Sequence, residues 1–438
     1  MTANFDYHKK FTSFKNKTLY EALAPQQQAY VRSIAFAHGL SFQEFRQVVE
    51  VARDLSMWGE ADLAQWWREQ SRQTTLQGVP LKKHLLQQLH TYVQKLKQAP
   101  KKYPQAGLPR PHQREKHTVT LEESDKKVYG MCPVASEETV CCNLRTIDAV
   151  ENCAFGCSYC TIQTFYSDRF AFDANFAEKL KAIPLEPNRF YHFGTGQASD
   201  SLVWGNRHGI LDGLCQFAAD HANVLLEFKT KSDNVHYFLE NEVPRNIVCS
   251  WSLNTPTIIR NEEHFTANLQ QRLAAARLVA DRGIKVAFHF HPMVYYQGWR
   301  EEYPEIAARV MAAFQPREVL FISFGSITMI KPAVKKIRKL GHATRILQME
   351  MVPDPHGKLT YPDEIKVAMF RAMYNCLQPW RDEVFMYLCM EKALIWQKTF
   401  GYVYSNNEAF ERAFLAQTMS KLAPRESFTL NTNPKVEI

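Results

Sequence analysis

Residues 152–160 read NCAFGCSYC and place Cys153, Cys157 and Cys160 in the spacing C-x3-C-x2-C. Three thiols this close are metal ligands, redox groups or chance neighbours in a core. The 438-residue chain holds ten cysteines, and its start, MTANFDYHKKFTSFKNKTLY, lacks the apolar stretch of a secretion signal. In a reducing compartment clustered cysteines bind metals or do chemistry more often than they pair. No run approaches the roughly eighteen apolar residues of a membrane span. The expectation is a cytoplasmic protein with no membrane partner. A composition of 45% hydrophobic and 22% charged residues is globular. The net charge of +8 permits a polyanionic partner without requiring one.

Around the cysteines the pattern is one of short apolar runs separated by amphipathic stretches. Strands are predicted at TIDAV (146–150), RFYHFG (189–194), VLLEFKTK (224–231), NIVCSWSLN (246–254), KVAFHFHPM (285–293) and VLFISFGSI (319–327). Helix-like stretches such as GILDGLCQFAADH and LQQRLAAARLVADRG lie between them. Strands alternating with helices imply a parallel sheet with right-handed crossovers. Six such units fit a partial (β/α)6 barrel better than a complete eight-fold one.

Upstream, residues 1–96 read as a helical N-terminal region. Ser41 and Glu44 form a capping box, followed by Phe45, Val48, Val49, Ala52 and Leu55 at helical spacing. Residues 97–117 form a basic, proline-rich linker. Pro100, Pro104, Pro109 and Pro111 forbid a regular helix there. Lys101, Lys102, Arg110, Arg114 and Lys116 suggest a solvated segment, or an arm that meets phosphates. The barrel is expected over 118–335 and an α/β C-terminal extension over 336–438.

Side chains alternate along a strand. Glu227, Lys229 and Lys231 therefore share one face, as do Ser250, Ser252 and Asn254, and also His289 and His291. A packed parallel strand is normally apolar on both faces. Unpaired buried charge is costly, so the polar faces should line a cavity or pair internally, as Glu227 with Lys229. Cys249 falls on the opposite face and should point away from that cavity.

Three options compete for the cysteines. Structural zinc wants four ligands, and a fourth would have to come from a residue such as His192 or Asp168. A dithiol redox site needs only two thiols. Three thiolates on a cubane iron–sulfur cluster leave one iron without a protein ligand. Their position after the first strand is the end of a barrel where chemistry takes place.

The spacing, with Tyr159 before the third cysteine, resembles the signature of radical S-adenosylmethionine enzymes. GTGQASDSL (194–202), EFKTKSDNV (227–235), SWSLNTPTIIRNEEHFTANLQQRLAAA (251–276) and VAFHFHPMVYYQGWREEY (286–303) resemble the spore photoproduct lyase family. YLCMEKALIWQKTFG (387–401) resembles a C-terminal motif of its relatives. The resemblance implies a 4Fe–4S cluster on Cys153, Cys157 and Cys160, with S-adenosylmethionine on the open iron. One electron from a separate reductant would cleave that cofactor to a 5′-deoxyadenosyl radical, which abstracts hydrogen from a substrate. In family lyases the substrate is a thymine photodimer, so DNA or another nucleobase-containing molecule is the implied partner.

The resemblance also implies that Tyr159, Gly194, Gly196, Ser199, Asp200, Lys231, Ser252 and Asn254 hold or face the cofactor. Arg272 is either a partner of the cofactor carboxylate or a solvated helix arginine. The family's hydrogen-donating cysteine is replaced by Gln197, and the position after Cys160 is Thr161. Cys389 is the expected replacement donor. Cys132, Cys141 and Cys142 fit no ligand motif and read as ordinary cysteines, with an auxiliary cluster as the alternative. The competing functions are a radical enzyme acting on a small molecule or peptide, and a non-catalytic metal-binding module.

Overall fold

A computed structural model describes residues 2–110, 118–132, 138–167 and 169–422 of the chain. Pro111, Arg114, Lys116 and Asp168 lie outside the described residues.

All six expected strands form, and they share one curled sheet of eight. In chain order the sheet strands are β1 (Tyr129–Met131), β2 (Arg145–Ile147), β3 (Tyr191–Thr195), β4 (Val224–Thr230), β5 (Ile247–Ser252), β6 (Lys285–Met293), β7 (Val319–Ser326) and β8 (Phe385–Leu388). Spatial order follows sequence order from β1 at one edge to β8 at the other. Every pairing from β2 to β8 is parallel, and only β1 runs antiparallel. The seventh parallel strand, β8, comes from the region expected as the C-terminal extension. The partial barrel read from the sequence is the fold.

The strands hold because their outer faces are apolar and fully covered. Leu226 and Phe228 of β4, Trp251 of β5 and Phe288 and Phe290 of β6 are 0% exposed. Each such side chain contributes about 1.5–3 kcal/mol on burial. Helices Ile210–Asp220, Leu269–Asp281 and Trp299–Ala313 cross between successive strands. Cys249 packs outward, within charge range of Cys215 on the first of these helices, as alternation predicts.

The N-terminal region contains five helices, from Thr2–Asn16 to Gly78–Gln98. Its capping box forms: Ser41 Oγ accepts from the Glu44 amide, and Glu44 accepts from the Ser41 amide at 2.7 Å. Asp54 and Glu50 bind Arg338 at 2.7 and 3.0 Å, and Glu60 binds Arg345 at 2.9 Å. The helical region thus braces helix Lys331–Leu340 from behind.

Among its described residues the segment after it docks at a few points, while Lys102 and Arg110 stay exposed as the sequence reading expects. Lys101 is 2% exposed, and its backbone forms a parallel bridge with Tyr296. Tyr103 donates to Glu262 at 2.8 Å, and the Leu108 amide donates to Asn261 at 2.7 Å. Prolines exclude a helix, but nothing prevents an extended strap from using its amides and aromatics to dock on the barrel.

Candidate metal centre and active site

The cysteine loop leaves the sheet after β2 and is clasped at its neck. Asn152, held at a positive φ of 70°, donates through Nδ2 to the Ser167 carbonyl at 3.1 Å and accepts from the Ser167 amide at 3.1 Å. Inside the neck, Gly156–Cys157 pairs antiparallel with Glu263–His264. The Ser158 amide donates to the Glu262 carbonyl at 2.8 Å. Cys153, Cys157 and Cys160 all line one cavity of about 230 Å³, walled by Phe170, Ile337 and Leu340 and rimmed by Lys336 and His342.

Among the described residues no three His, Cys, Asp or Glu side chains converge as tightly as a single metal ion requires. A cubane cluster is wider, because each thiolate binds a different iron. Three thiols lining one cavity can each bind a different iron of such a cluster. His192, the alternative fourth ligand, is committed elsewhere: it bonds Glu227 at 2.8 Å. Burial, reinforced by Asp200, pushes the Cys153 thiol up to about 12. Burial also raises Cys157 well above its ordinary value, and the Lys231 ammonium opposes this. Metal binding would remove those protons, since a coordinating thiol ionises.

Lys231 stands just past the end of β4 with its Nζ 6.0 Å from the Tyr159 ring centre. It makes no ion pair among the described residues. Asp200 fixes its backbone by accepting from the Lys231 amide at 2.7 Å. Asp200 also accepts from the Leu202 and Val203 amides and from Thr230 Oγ1, at 2.8–3.1 Å. It is thus a positioning carboxylate with four donors. Ser199 Oγ accepts from the Trp204 indole at 3.2 Å. Gly196 has φ +89°, and a Cβ there would lie 2.6 Å from the Lys229 carbonyl. Gly194 lets Leu144 approach to 3.1 Å of where its Cβ would be. The glycines thus allow close backbone packing beneath the site.

Behind the loop lies a fully buried brace centred on Glu263. Arg272 is 0% exposed, which overturns the solvated reading. Its guanidinium bonds Glu263 at 2.5 Å, the Ser252 carbonyl at 2.8 Å and Thr266 Oγ1 at 2.8 Å. Tyr159 donates to the same Glu263, and Asn254 Nδ2 lies 3.3 Å from it. Asn254 also accepts from Tyr303 at 2.8 Å. Ser252 sits beneath, 2% exposed, paired in register with His289. Burial alone would raise the Glu263 carboxyl, but the charges of Arg272 and Lys231 hold it low. Sequence reading passed over Glu263. Its only signal was an acidic pair, Glu262 and Glu263, inside the motif over 251–276.

The barrel interior divides into two layers. In the lower one Glu227 bonds His192 at 2.8 Å, His289 at 2.5 Å and Ser250. His289 reaches on to Ser323. Burial and the Lys229 charge push His289 down to about 4. Burial opposes the Glu227 charge, yet the two histidines keep its carboxyl well below the usual range. Glu227 therefore pairs with histidines rather than with Lys229, and His289 is a satisfied core residue. In the upper layer Lys229, Lys231 and His291 remain partly open. Burial, then the two lysines among its neighbours, holds His291 well below its ordinary value.

Cys389 lies past the end of β8, its amide bonded to the Phe324 carbonyl at 2.8 Å. It does not stand alone: Cys132, Cys141 and Cys142 gather beside it. Gln197 is part of the turn held by Asp148, which accepts from the Ala198 amide at 2.8 Å.

A curled parallel half-barrel with three cysteines in the loop after its first parallel strand has the architecture of radical S-adenosylmethionine enzymes. More narrowly, residues 145–354 match the family model described as spore photoproduct lyase. The resemblance read from the sequence is borne out over that segment. A spore photoproduct lyase from Clostridium acetobutylicum is 24% identical over 196 residues, 43% of this chain and 58% of the relative. One from a Geobacillus species is 25% identical over 210 residues, 46% of this chain and 61% of the relative. The chain thus spans less than two thirds of either. A solved spore photoproduct lyase mutant with bound AdoMet and dinucleoside spore photoproduct superposes with a TM-score of 0.53 at 21% identity. It covers 61% of this chain and 81% of that one. Among the described residues no helix is long and apolar enough to cross a membrane.

Proposed function

We propose that this protein is a radical S-adenosylmethionine enzyme of the spore photoproduct lyase type, acting on a nucleobase-containing substrate such as a DNA photolesion. The observation that carries the reading is the cavity lined by Cys153, Cys157 and Cys160 with the Lys231 ammonium beside it. These three thiolates would hold a 4Fe–4S cluster. With S-adenosylmethionine bound and a reductant present, that group supplies a 5′-deoxyadenosyl radical able to abstract hydrogen.

The chain's own residues bind, orient and shield. Lys231 offers a positive charge to the cofactor carboxylate. Asp200 and Gly196 set the height of that lysine. Tyr159 and Glu263 stiffen the loop so that the thiols keep their spacing. Phe170, Ile337 and Leu340 exclude water, which protects a reactive radical. Lys229 and His291 extend the polar wall toward the substrate side.

The nucleobase partner is supported by the surface around the cavity. Lys331, Lys335 and Lys339 are exposed at four-residue spacing on the helix whose Lys336 lines the cavity rim. None makes an ion pair among the described residues. Phe165, 72% exposed, and Phe265, 40% exposed, flank the loop. Cations beside solvent-exposed aromatic rings suit phosphates and stacked bases.

Anaerobic reconstitution with iron and sulfide tests the reading. A brown protein that forms 5′-deoxyadenosine under reduction is expected, and dinucleoside spore photoproduct should be consumed. A colourless zinc protein, or one inert toward S-adenosylmethionine, overturns it.

A further inference from the structure

Two backbone ties bring Cys132, Cys141, Cys142 and Cys389 together from three separate segments. The Cys132 amide donates to the Leu144 carbonyl at 2.9 Å, which extends the β1–β2 ladder to within two residues of Cys142. Val140 then forms an antiparallel bridge with Glu391, its amide 3.0 Å from the Glu391 carbonyl. That bridge sets Cys141 and Cys142 beside the turn that carries Cys389. Asn407 Oδ1 accepts from the Cys141 amide at 2.8 Å and fixes the other side. Cys141 and Cys142 are 3% and 7% exposed, and Cys132 and Cys389 are partly covered. None is in a disulfide.

Cys142 and Cys389 each lie within charge range of the other three cysteines. Cys142 senses Cys141, Cys389 and Cys132, and Cys389 senses Cys132 and Cys141. A buried cysteine used as a small apolar residue needs no other cysteine near it. Four soft donors gathered from distant segments are a ligand set for iron–sulfur clusters or zinc. The tight convergence zinc requires is absent here among the described residues, as it is at the first trio. The Lys229 ammonium acts on Cys389 and would offset the negative charge of thiolate ligands.

We propose that Cys132, Cys141, Cys142 and Cys389 ligate a second iron–sulfur cluster at the seam where the two edges of the sheet meet. Four protein ligands leave no iron open, so this centre does not bind S-adenosylmethionine. It holds electrons and staples β1 to β8. Cys389 is then a ligand and not the replacement hydrogen donor expected from the sequence. The proposal does not depend on the identity of the substrate.

Iron and acid-labile sulfide counts on the anaerobically reconstituted full chain test it, read with electron paramagnetic resonance of the reduced protein. Two cubanes give about eight irons per chain. The Cys153→Ala/Cys157→Ala/Cys160→Ala variant should keep about four irons and a cluster signal. The Cys132→Ala/Cys142→Ala variant should also fall to about four. If that double variant fails to fold, the triple variant alone decides. A triple variant without iron overturns the proposal, as does one zinc bound at the seam. A wild type with about four irons, unchanged in the double variant, overturns it too.

Discussion

Replacing Arg272 with Met removes a guanidinium that has no contact with solvent and serves Glu263, Ser252, Thr266 and Ala267 at once. The methionine fills much of the space, so the loss is electrostatic rather than a cavity. It leaves the Glu263 carboxylate buried without its counter-charge. Breaking a buried ion pair from one side costs about 3–5 kcal/mol. That is a roughly 150- to 5,000-fold change in the folding equilibrium. Glu263→Gln should relieve much of this, because the amide carries no charge and still accepts from Tyr159. The double variant Arg272→Met/Glu263→Gln should therefore cost less than the sum of the singles, by about 1–3 kcal/mol. Urea midpoints from tryptophan fluorescence measure all three. Because Glu263–His264 pairs with Gly156–Cys157, iron retention after reconstitution should fall in parallel with stability. A cost below about 1 kcal/mol for Arg272→Met, or strict additivity in the cycle, refutes the brace.

Gly196→Ala should destabilise by about 1–3 kcal/mol, since φ is +89° and the new methyl meets the Lys229 carbonyl at 2.6 Å; a urea midpoint within error of wild type would refute the close approach. Lys101 is held down to about 7 by burial, against an ordinary 10.5. Between those values the unfolded chain binds the proton that the native one releases, so this group makes stability rise with pH across that window. Lys101→Met should accordingly be the more stable protein at pH 7, with its advantage fading toward pH 10.5; a constant difference over that range contradicts the burial penalty on this ammonium. Lys335→Glu/Lys339→Glu should weaken binding of a labelled DNA duplex and lower its log–log salt slope by about two. Unchanged binding would remove that helix from the nucleic-acid surface.

Regular alternation made much of the barrel legible. Strands around Glu227, Ser250 and His289 announced a polar interior, and the outward face of Cys249 followed from parity alone. The cysteine loop was legible because its ligands are local in sequence. What pairs with what inside the barrel was not. Glu227 finds His192 and His289 on other strands, which only the sheet order reveals. Glu263 went unnoticed because Tyr159 lies 104 residues before it, and its importance is entirely tertiary. The proline-rich strap misled only at its docking points: its composition describes an exposed segment, which Lys102 and Arg110 are, whereas Tyr103 and Leu108 are buried by bonds to Glu262 and Asn261. The seam cysteines fit no motif for the same reason, since the fourth member arrives only with β8.

The Val140–Glu391 bridge has a consequence for how copies of this molecule meet. An open sheet ordinarily exposes two flanks of unsatisfied amides and carbonyls, and each flank can recruit a stray strand. Here the terminal strands are only three and four residues long, and the loops beyond them engage one another. Neither flank offers a stretch long enough to template another chain. The protein meets the hazard of an incomplete barrel by turning the margins of its main sheet toward each other, so that sheet gives a stray strand little to extend.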